Sequence, residues 1–277
     1  MLSAGDSERV AALMRETAAG ELLPRFRNLG AEDVRHKRPG DVVTVADVAS
    51  EQRLAVGLAG ILPGVPVVGE EAVEKDPGLL DLVGRAGESC WIVDPLDGTS
   101  NFATGRDTFA MIICLVHDRE TVAGWILDVP NGRMATAVKG QGVALDGRSV
   151  RLSASSQVPR GFVGFKVRKE VDRLLGPNQR QRLGGLTSLN CAGREYIEIL
   201  DGQREFSLYR RTKPWDHAAG ALMIQEAGGE AVRFDGTPYD PAGSMEAGIM
   251  TAVSAEVLAD VRTIFEAVEM PLLARRS

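Results

Sequence analysis

The spacing of apolar residues predicts two helices separated by a polar break at the start of the chain. Over residues 7–26, apolar side chains recur every three or four positions, which is typical of a helix with one buried face. Residues 35–41 (RHKRPGD) are polar and contain Pro-Gly, so they predict an exposed, mobile loop. A second helix is predicted over residues 47–59, with its end at Gly60.

The middle of the chain has the pattern of a sheet. Short apolar runs alternate with turn signals such as His117-Asp118-Arg119 and Pro130-Asn131-Gly132. A short strand at residues 66–68 leads into Gly69-Glu70-Glu71, and residues 72–88 are predicted as loop and short helix. Because the connections are short, the sheet should be mostly antiparallel. Its further strands are predicted at residues 91–93, 109–116, 122–129 and 134–138.

After about residue 150, strands and helices alternate, which is typical of an α/β layer. Ser254 is expected to cap a final helix. We therefore predict an α+β half over residues 1–150 and an α/β half over residues 151–277, packed tightly as one unit. The strands of the second half are predicted at residues 162–167, 206–209, 231–234 and 249–253, and its earlier helices at residues 192–201 and 214–227.

Composition excludes several classes of protein. The 277 residues are 44% apolar and 25% charged, which is ordinary for a globular chain. A net charge of −6, with basic residues spread along the chain, argues against nucleic-acid binding. Three cysteines without a CxxC pair and only three histidines argue against zinc and disulfides. With neither a signal-peptide pattern nor an apolar run near the ~20 residues that a membrane span needs, the sequence predicts a soluble, cytoplasmic protein without a membrane partner.

The strongest chemical signal is the segment 91–102 (WIVDPLDGTSNF). Its apolar strand ends in Asp94 and Asp97, and Gly98-Thr99-Ser100 then offers backbone N–H groups. Taken alone, aspartates next to proline and glycine are equally typical of a β-turn. The combination of carboxylates with a run of N–H donors favours Mg²⁺ or Mn²⁺ together with a phosphate group.

Three other acidic positions are candidates for the same site, each with a simpler alternative. Glu70 follows a short strand, although adjacent carboxylates on a surface loop are usually just solvated. Asp216 stands before a helix of small residues and could serve only as its N-cap. Asp47 forms a capping-box pattern with Thr44, and the same carboxylate could also hold the Thr99 hydroxyl.

Together these motifs resemble the inositol monophosphatase family, a superfamily of lithium-sensitive, metal-dependent phosphomonoesterases. The resemblance covers nearly the whole chain, with the motifs in order. It implies a layered αβαβα sandwich of the sugar-phosphatase type, two or three Mg²⁺ ions with Mn²⁺ as an alternative, and a homodimer. The motifs that carry it are Asp47, Gly69-Glu70-Glu71, DPLDGTSNF at residues 94–102 and WDHAAG at residues 215–220.

The resemblance also implies roles for individual residues. Glu70 and Thr99 would position the attacking water, and Asp47, the third catalytic residue, would accept a hydrogen bond from Thr99. The N–H groups of Gly98 and Thr99 would bind phosphate oxygens. The implied metal ligands are Glu70, Asp94, the backbone carbonyl of Leu96, Asp97 and Asp216. The predicted substrate-binding residues are Asp97, Gly98, Thr99, Ala192, Tyr209, Arg211 and Asp216.

The chain departs from the family where inositol preference is decided. Inositol-preferring members have an acidic residue seven positions before Asp216, and here that position is Tyr209. Residues 188–193 (SLNCAG) also differ from the usual Gly-Thr/Ser-Ala-Ala pattern, although Ala192 keeps its spacing.

Basic residues lie close to these departures. Arg210, Arg211 and Lys213 follow Tyr209, and they could bind a second phosphate or form a solvated loop or a dimer contact. The basic stretch at residues 160–182 is either an anion-attracting rim or a basic surface.

The leading prediction is Mg²⁺-dependent hydrolysis of a small phosphomonoester, such as an inositol phosphate, a sugar phosphate or a related metabolite, by an activated water. A nucleotide 3′-phosphatase or a fructose-1,6-bisphosphatase of the same superfamily is an alternative. A non-catalytic regulatory protein on this scaffold is a third, against which the set of Asp47, Glu70 and Thr99 argues.

Overall fold

A computed structural model of the chain describes residues 2–38, 41–154, 156 and 158–274. Its α-helices are α1 (Ala4–Thr17, continued by a π-helical turn, Ala18–Leu22), α2 (Val45–Ile61), α3 (Glu70–Lys75), α4 (Thr99–Ala103), α5 (Phe165–Leu174), α6 (Pro177–Gln181), α7 (Ala192–Leu200), α8 (Pro214–Glu226) and α9 (Ala255–Ala274). Short 3₁₀ helices lie at Ala31–Asp33 and Pro77–Leu82. Among the described residues, no helix has both the length and the apolarity to cross a membrane.

The strands form a hairpin and two sheets. They are β1 (Val34–Arg38), β2 (Asp41–Thr44), β3 (Val67–Gly69), β4 (Ser89–Asp97), β5 (Ala110–His117), β6 (Glu120–Asp128), β7 (Arg133–Val138), β8 (Gly142–Leu145), β9 (Arg148–Val150), β10 (Arg160–Val163), β11 (Gly185–Thr187), β12 (Phe206–Tyr209), β13 (Glu230–Val232) and β14 (Ile249–Ala252). The seven-stranded sheet runs from β3 to β9 in chain order, and only its β3–β4 pair is parallel. The mostly antiparallel sheet of the prediction is therefore confirmed.

The five-stranded sheet has the order β11-β10-β12-β14-β13. Its β10 strand is parallel to both neighbours, and β14 is antiparallel to β12 and β13. The seven-stranded sheet ends at Val150 and the five-stranded sheet begins at Arg160 in the chain. One buried cluster contains residues of both chain halves. The division of the chain into residues 1–150 and 151–277, packed as one unit, stays a prediction.

Three buried clusters stack helices and sheets in alternating layers. One cluster joins α1 and α2 to the first face of the seven-stranded sheet, with Trp91 and Trp125 at its centre. A second joins the other face of that sheet to α7 and α8. The third joins the five-stranded sheet to α5 and α9. The order is helix, sheet, helix, sheet, helix, so the predicted αβαβα sandwich is confirmed.

Helix α8 lies between the two sheets, and its small residues make that position possible. A Cβ atom at Gly220 would stand 2.2 Å from the Tyr196 ring, so only glycine allows α7 and α8 this close together. Nearly every side chain of α8 is buried, as expected for a helix that is mostly apolar around its circumference. Asp216 lies in its first turn. The packing of α8 therefore decides where the Asp216 carboxylate stands.

A bulge in β4 turns two aspartates toward the same side. Side chains three positions apart on a regular strand point to opposite faces. The register with β5 shifts between Asp94 and Asp97, so one extra residue is accommodated in β4. Pro95 has no N–H for the ladder and is compatible with such a break. Both aspartates consequently line one pocket.

The predicted loop over residues 35–41 is wrong for the described part. Val34–Arg38 and Asp41–Thr44 pair as an antiparallel hairpin, with Arg35 opposite Val43 and His36 opposite Val42. Pairing satisfies the backbone of a strand whatever its side chains, and polar side chains remain exposed on such an edge. Pro39 and Gly40 lie outside the described residues.

The predicted strand over residues 162–167 is half wrong. The strand ends at Val163, and the backbone from Phe165 onward is helical. Gly164 separates the two elements. A short apolar run of this kind does not distinguish a buried strand from the first turn of a helix.

Candidate active site

A cavity of about 510 Å³ lies where the ends of β3 and β4, the start of α8 and the β1–β2 hairpin meet. It collects most of the predicted site residues: Glu70, Asp94, Leu96, Asp97, Gly98, Thr99 and Asp216. Its other lining residues are Asp41, Val42, Ser100, Asn101, Thr104, Arg106, Asn190 and Lys213.

Three carboxylates from separate elements converge in this cavity. Oxygen atoms of Glu70, Asp94 and Asp216 all lie within 4.8 Å of one another. Glu70 opens α3, Asp94 belongs to β4 and Asp216 lies in the first turn of α8. An all-oxygen set of this kind fits a hard divalent cation such as Mg²⁺.

Mutual repulsion and burial make these carboxylates harder to ionise without a cation. Burial, followed by the charges of Glu70, Asp97 and Asp216, raises the pKa of Asp94 well above its ordinary value. Burial also raises the pKa of Asp216, while the neighbouring Lys213 ammonium opposes that shift. Positive charge at this position is therefore strongly favoured.

Two lysines supply part of that positive charge. The Lys213 ammonium lies 2.8 Å from Glu70 Oε1, and Lys37 of the hairpin lies 3.7 Å from the same oxygen. Lys37 also donates a 2.6 Å hydrogen bond to the buried Glu71. Although burial opposes their charge, the nearby carboxylates raise the pKa of both lysines. The hairpin is thus tied to the start of α3.

Asp97 lies in the same cavity but is oriented toward the start of α7. Its Oδ2 accepts hydrogen bonds from the Gly193 N–H at 2.6 Å and the Cys191 thiol at 3.2 Å. Burial and then the charge of Asp216 raise the pKa of Asp97 to about 7. Asp97 is not one of the three converging carboxylates. Its assignment as a metal ligand stays a prediction.

Thr99 lies between Asp47 and Leu96. Its hydroxyl oxygen is 3.0 Å from Asp47 Oδ1 and 2.8 Å from the Leu96 carbonyl oxygen. The other Asp47 oxygen accepts bonds from the Thr44 N–H at 2.8 Å and the Thr44 hydroxyl at 2.6 Å. Burial raises the pKa of Asp47 to about 7. The two readings of Asp47 left open by the sequence, helix cap and partner of Thr99, describe the same carboxylate.

Gly98 makes the turn that begins α4. Its φ of +86° favours glycine, and an added Cβ would stand 2.9 Å from the Thr108 carbonyl oxygen and 3.2 Å from Cys191 Cβ. The first N–H groups of a helix have no partner within it. The turn therefore presents N–H donors beside the carboxylates.

Three predicted substrate contacts do not line the cavity. Ala192 is buried at the first position of α7. The Tyr209 hydroxyl donates to the buried Glu195. Arg211 pairs with Glu246 on the surface at 3.3 Å. Their assignment as substrate-binding residues stays a prediction.

Sequence reasoning missed two buried carboxylates that shape the site. Glu51 accepts the Glu71 N–H at 2.8 Å and so fixes the start of α3. Its position four residues after Asp47, on one face of α2, is a signal that could have found it. Glu195 accepts the Leu189 N–H at 2.5 Å and the Ser188 hydroxyl at 3.2 Å, which fixes the loop before α7. Burial raises the pKa of both carboxylates to about 7.

The fold and the cavity define a layered α/β protein with an oxygen-rich, acidic site. Residues 7–265 match the model of the inositol monophosphatase family. The chain belongs to this family.

Relatives and solved structures agree with that membership. The chain is 33% identical over 242 residues to the Nus factor SuhB of Pseudomonas aeruginosa, covering 82% of this chain and 85% of the relative. It is 30% identical over 235 residues to inositol monophosphatase 2 of Solanum lycopersicum, covering 80% and 85%. The fold is similar to that of the Thermotoga maritima IMPase, with a TM-score of 0.77 and 23% identity over 94% of this chain and 96% of that one.

Membership predicts a class of reaction and leaves the substrate open. Enzymes of the family are phosphatases that in general use Mg²⁺, which supports a phosphomonoesterase at the family level. A relative from Aquifex aeolicus, 29% identical over 225 residues covering 76% of this chain and 80% of the relative, is named a fructose-1,6-bisphosphatase/inositol-1-monophosphatase.

Proposed function

We propose that this protein is a Mg²⁺-dependent phosphatase that hydrolyses the phosphomonoester of a small metabolite, such as an inositol phosphate or a sugar phosphate. The observation that carries the proposal is the convergence of Glu70, Asp94 and Asp216 within 4.8 Å. The Thr99–Asp47 contact supports it, because Thr99 lines the same cavity.

The residues proposed to hold the cations all offer oxygen. They are Glu70, Asp94, the Leu96 carbonyl, Asp97 and Asp216. When bound, divalent cations neutralise phosphate charge and lower the pKa of a coordinated water. The raised pKa of Asp94 fits this assignment, because a cation replaces repulsion among carboxylates with attraction.

Thr99 is proposed to orient the attacking water through its hydroxyl. The hydroxyl has a single proton, which it donates either to Asp47 or to the Leu96 carbonyl. In both cases the oxygen lone pairs remain free to accept a hydrogen bond from water. Glu70 accepts a hydrogen bond from the same water. The Gly98 and Thr99 N–H groups bind the phosphate oxygens.

Phosphate release from a panel of phosphomonoesters tests the proposal. Wild-type protein should show turnover with Mg²⁺ and none with a chelator. Asp94→Asn should abolish turnover, because it removes a carboxylate from the converging set, whereas Asp81→Asn on the exposed surface should not change it. Equal activity of Asp94→Asn and wild type, or no turnover of any compound, would contradict the proposed function.

A second candidate function follows from the relative named Nus factor SuhB. We propose a regulatory role that accompanies catalysis on this scaffold, because the Thr99–Asp47 pair and the converging carboxylates are intact. A stoichiometric macromolecular partner combined with negligible phosphatase activity would favour a purely regulatory protein instead.

We also propose a cytoplasmic homodimer; the dimer is what the resemblance to the family implies, and the cytoplasmic location is the prediction from the sequence. Light scattering of the purified protein tests the dimer. A monomer at the concentrations used for activity assays would contradict it.

A further inference from the structure

The pocket contains a second cationic group that the acidic site does not use. Lys213 and Arg106 are the cationic residues of its described lining. Lys213 is committed to Glu70 at 2.8 Å. Within the described part of the chain, no carboxylate lies within ion-pairing distance of the Arg106 guanidinium. Arg106 is exposed and therefore stands where the pocket opens to solvent.

The backbone that carries Arg106 is held in place on several sides. The Arg106 N–H donates to the Asn101 carbonyl at 2.9 Å, and the preceding Gly105 donates to the Phe102 carbonyl at 3.0 Å. Arg27 Nε donates to the Gly105 carbonyl at 3.0 Å. The Arg106 side chain thus projects from a fixed turn that directly follows α4.

Asn101 connects this turn to the opposite wall of the pocket. Its side-chain amide donates to the Thr108 carbonyl at 2.8 Å and to the Leu189 carbonyl at 2.8 Å. Asn190, the next residue of that wall, also lines the pocket. Arg106 and Asn190 are therefore kept at a set spacing around the pocket that contains the proposed phosphate site.

A free guanidinium in such a position suits an anion. Its planar donors match a phosphate or a carboxylate with two parallel hydrogen bonds. The cavity of about 510 Å³ is within the range of small-molecule sites and has room for more than one functional group of a metabolite.

We propose that Arg106 is a specificity-determining residue that binds a second anionic group, a phosphate or a carboxylate, on the alcohol portion of the substrate. The inference rests on the proposed function, since the first phosphate is the one at the converging carboxylates. It assigns the preferred substrate to the class of phosphomonoesters that carry a second anionic group.

Steady-state kinetics with three substrates test Arg106. Glycerol 2-phosphate has no second anion, 2-phosphoglycerate adds a carboxylate, and fructose 1,6-bisphosphate adds a phosphate. Arg106→Ala should lower kcat/KM at least about tenfold for a substrate with a second anionic group and leave glycerol 2-phosphate unchanged. If kcat/KM falls only for 2-phosphoglycerate, the second anionic group is a carboxylate. If it falls only for fructose 1,6-bisphosphate, the second group is a phosphate.

Two variants control for charge and for fold. Arg148→Ala removes an exposed arginine of β9 that does not line the pocket, and it should change none of the three values. Arg106→Lys keeps the charge without the planar fork and should lose less than Arg106→Ala. Equal effects of Arg106→Ala on all three substrates, or no effect, would overturn the proposal.

Failure of the proposed function is distinguishable from failure of this inference. If no compound is turned over, the phosphatase proposal fails by itself. Calorimetric titration of the same three compounds in Mg²⁺ then still measures whether Arg106→Ala selectively weakens binding of the two compounds that have a second anionic group. Equal affinities of wild type and Arg106→Ala for those compounds, or binding of none of the three compounds by the wild type, would overturn the role of Arg106.

Discussion

The Asp47 carboxylate serves two neighbours, and each oxygen has its own task. Oδ2 caps α2 through the Thr44 N–H and hydroxyl, while Oδ1 lies 3.0 Å from the Thr99 hydroxyl. The cap holds the carboxylate in one orientation, so Oδ1 faces the Thr99 hydroxyl before any substrate arrives. A structural device at a helix end therefore prepares a proposed catalytic residue.

Thr99→Val tests the proposed role of the Thr99 hydroxyl in orienting the attacking water. Valine has nearly the same shape but offers no oxygen to the attacking water. We expect kcat to fall by roughly 10²–10⁴-fold with little change in KM, which is the usual contribution of a positioned proton acceptor. Thr99→Ser keeps the hydroxyl and should retain most of the activity. A Thr99→Val enzyme as active as Thr99→Ser would remove Thr99 from the mechanism.

The sequence predicted which residues belong to the site better than it predicted the contacts of their side chains. Asp94, Asp97 and Asp216 were found from strand ends and a helix start, and all line the cavity. The contact between Lys213 and Glu70 joins residues 143 positions apart, and the bond from Gly193 to Asp97 joins residues 96 apart. Local patterns contain no information on such distant partners, since these depend on the packing of α7 and α8.

The β1–β2 hairpin shows how an element can be misread from its polarity. Polar residues predicted a loop, yet the segment pairs with β2 and directs Lys37 to Glu71. The β8–β9 hairpin was also missed. It turns through Asp146-Gly147, both with positive φ, and an Asp-Gly pair is a strong sequence signal for a hairpin. The strands of the β4–β7 block were predicted correctly because each contains an apolar run bounded by turn signals.

Removal of the Lys37 ammonium should weaken the whole hairpin contact. In Lys37→Met the buried Glu71 carboxylate loses its 2.6 Å partner. We expect the free energy of unfolding to fall by about 1–3 kcal/mol, the usual cost of an unsatisfied buried polar group. Denaturant unfolding of the metal-free protein measures this loss.

Two comparisons make the Lys37 result specific. Lys139→Met breaks a pair with Glu120 on the exposed surface and should cost at most ~1 kcal/mol. Glu71→Gln combined with Lys37→Met should recover part of the loss, because position 71 then carries no unpaired charge. A loss in Lys37→Met no greater than that in Lys139→Met would show that the hairpin contact adds no stability.

For the molecule as a whole, apolar runs separated by turn signals predicted the sheets, and the layer order came from the family resemblance. Periodicity could not reveal that α8 lies between the sheets, because a helix buried on all sides has no polar face to orient it. The short strands Arg148–Val150 and Gly185–Thr187 were also missed, since three residues contain too little alternation to detect. What the packed molecule adds is a set of acidic groups that packing buries.

These groups make stability depend on pH. Burial raises the pKa of Asp47, Glu51, Asp97 and Glu195 to about 7, from ordinary values of 3.8 or 4.5. Between about pH 4 and 7, the folded protein therefore binds protons that the unfolded chain has lost, so stability falls as the pH rises. His217 opposes this trend, because burial lowers its pKa to about 3 and unfolding lets it take up a proton below pH 6.5.

Since four carboxyl groups act against one histidine, we expect the metal-free protein to have a higher Tm at pH 5 than at pH 7.5. Mg²⁺ should raise Tm more at pH 7.5, where it stabilises the ionised form of the carboxylates that it is proposed to contact. Glu195→Gln should flatten the pH dependence without removing the Mg²⁺ effect, because Glu195 lies outside the converging set. Thermal scans in chelator and in Mg²⁺ measure both quantities. A metal-free Tm that rises from pH 5 to pH 7.5 would show that these buried groups ionise without cost, contrary to the electrostatics of the site.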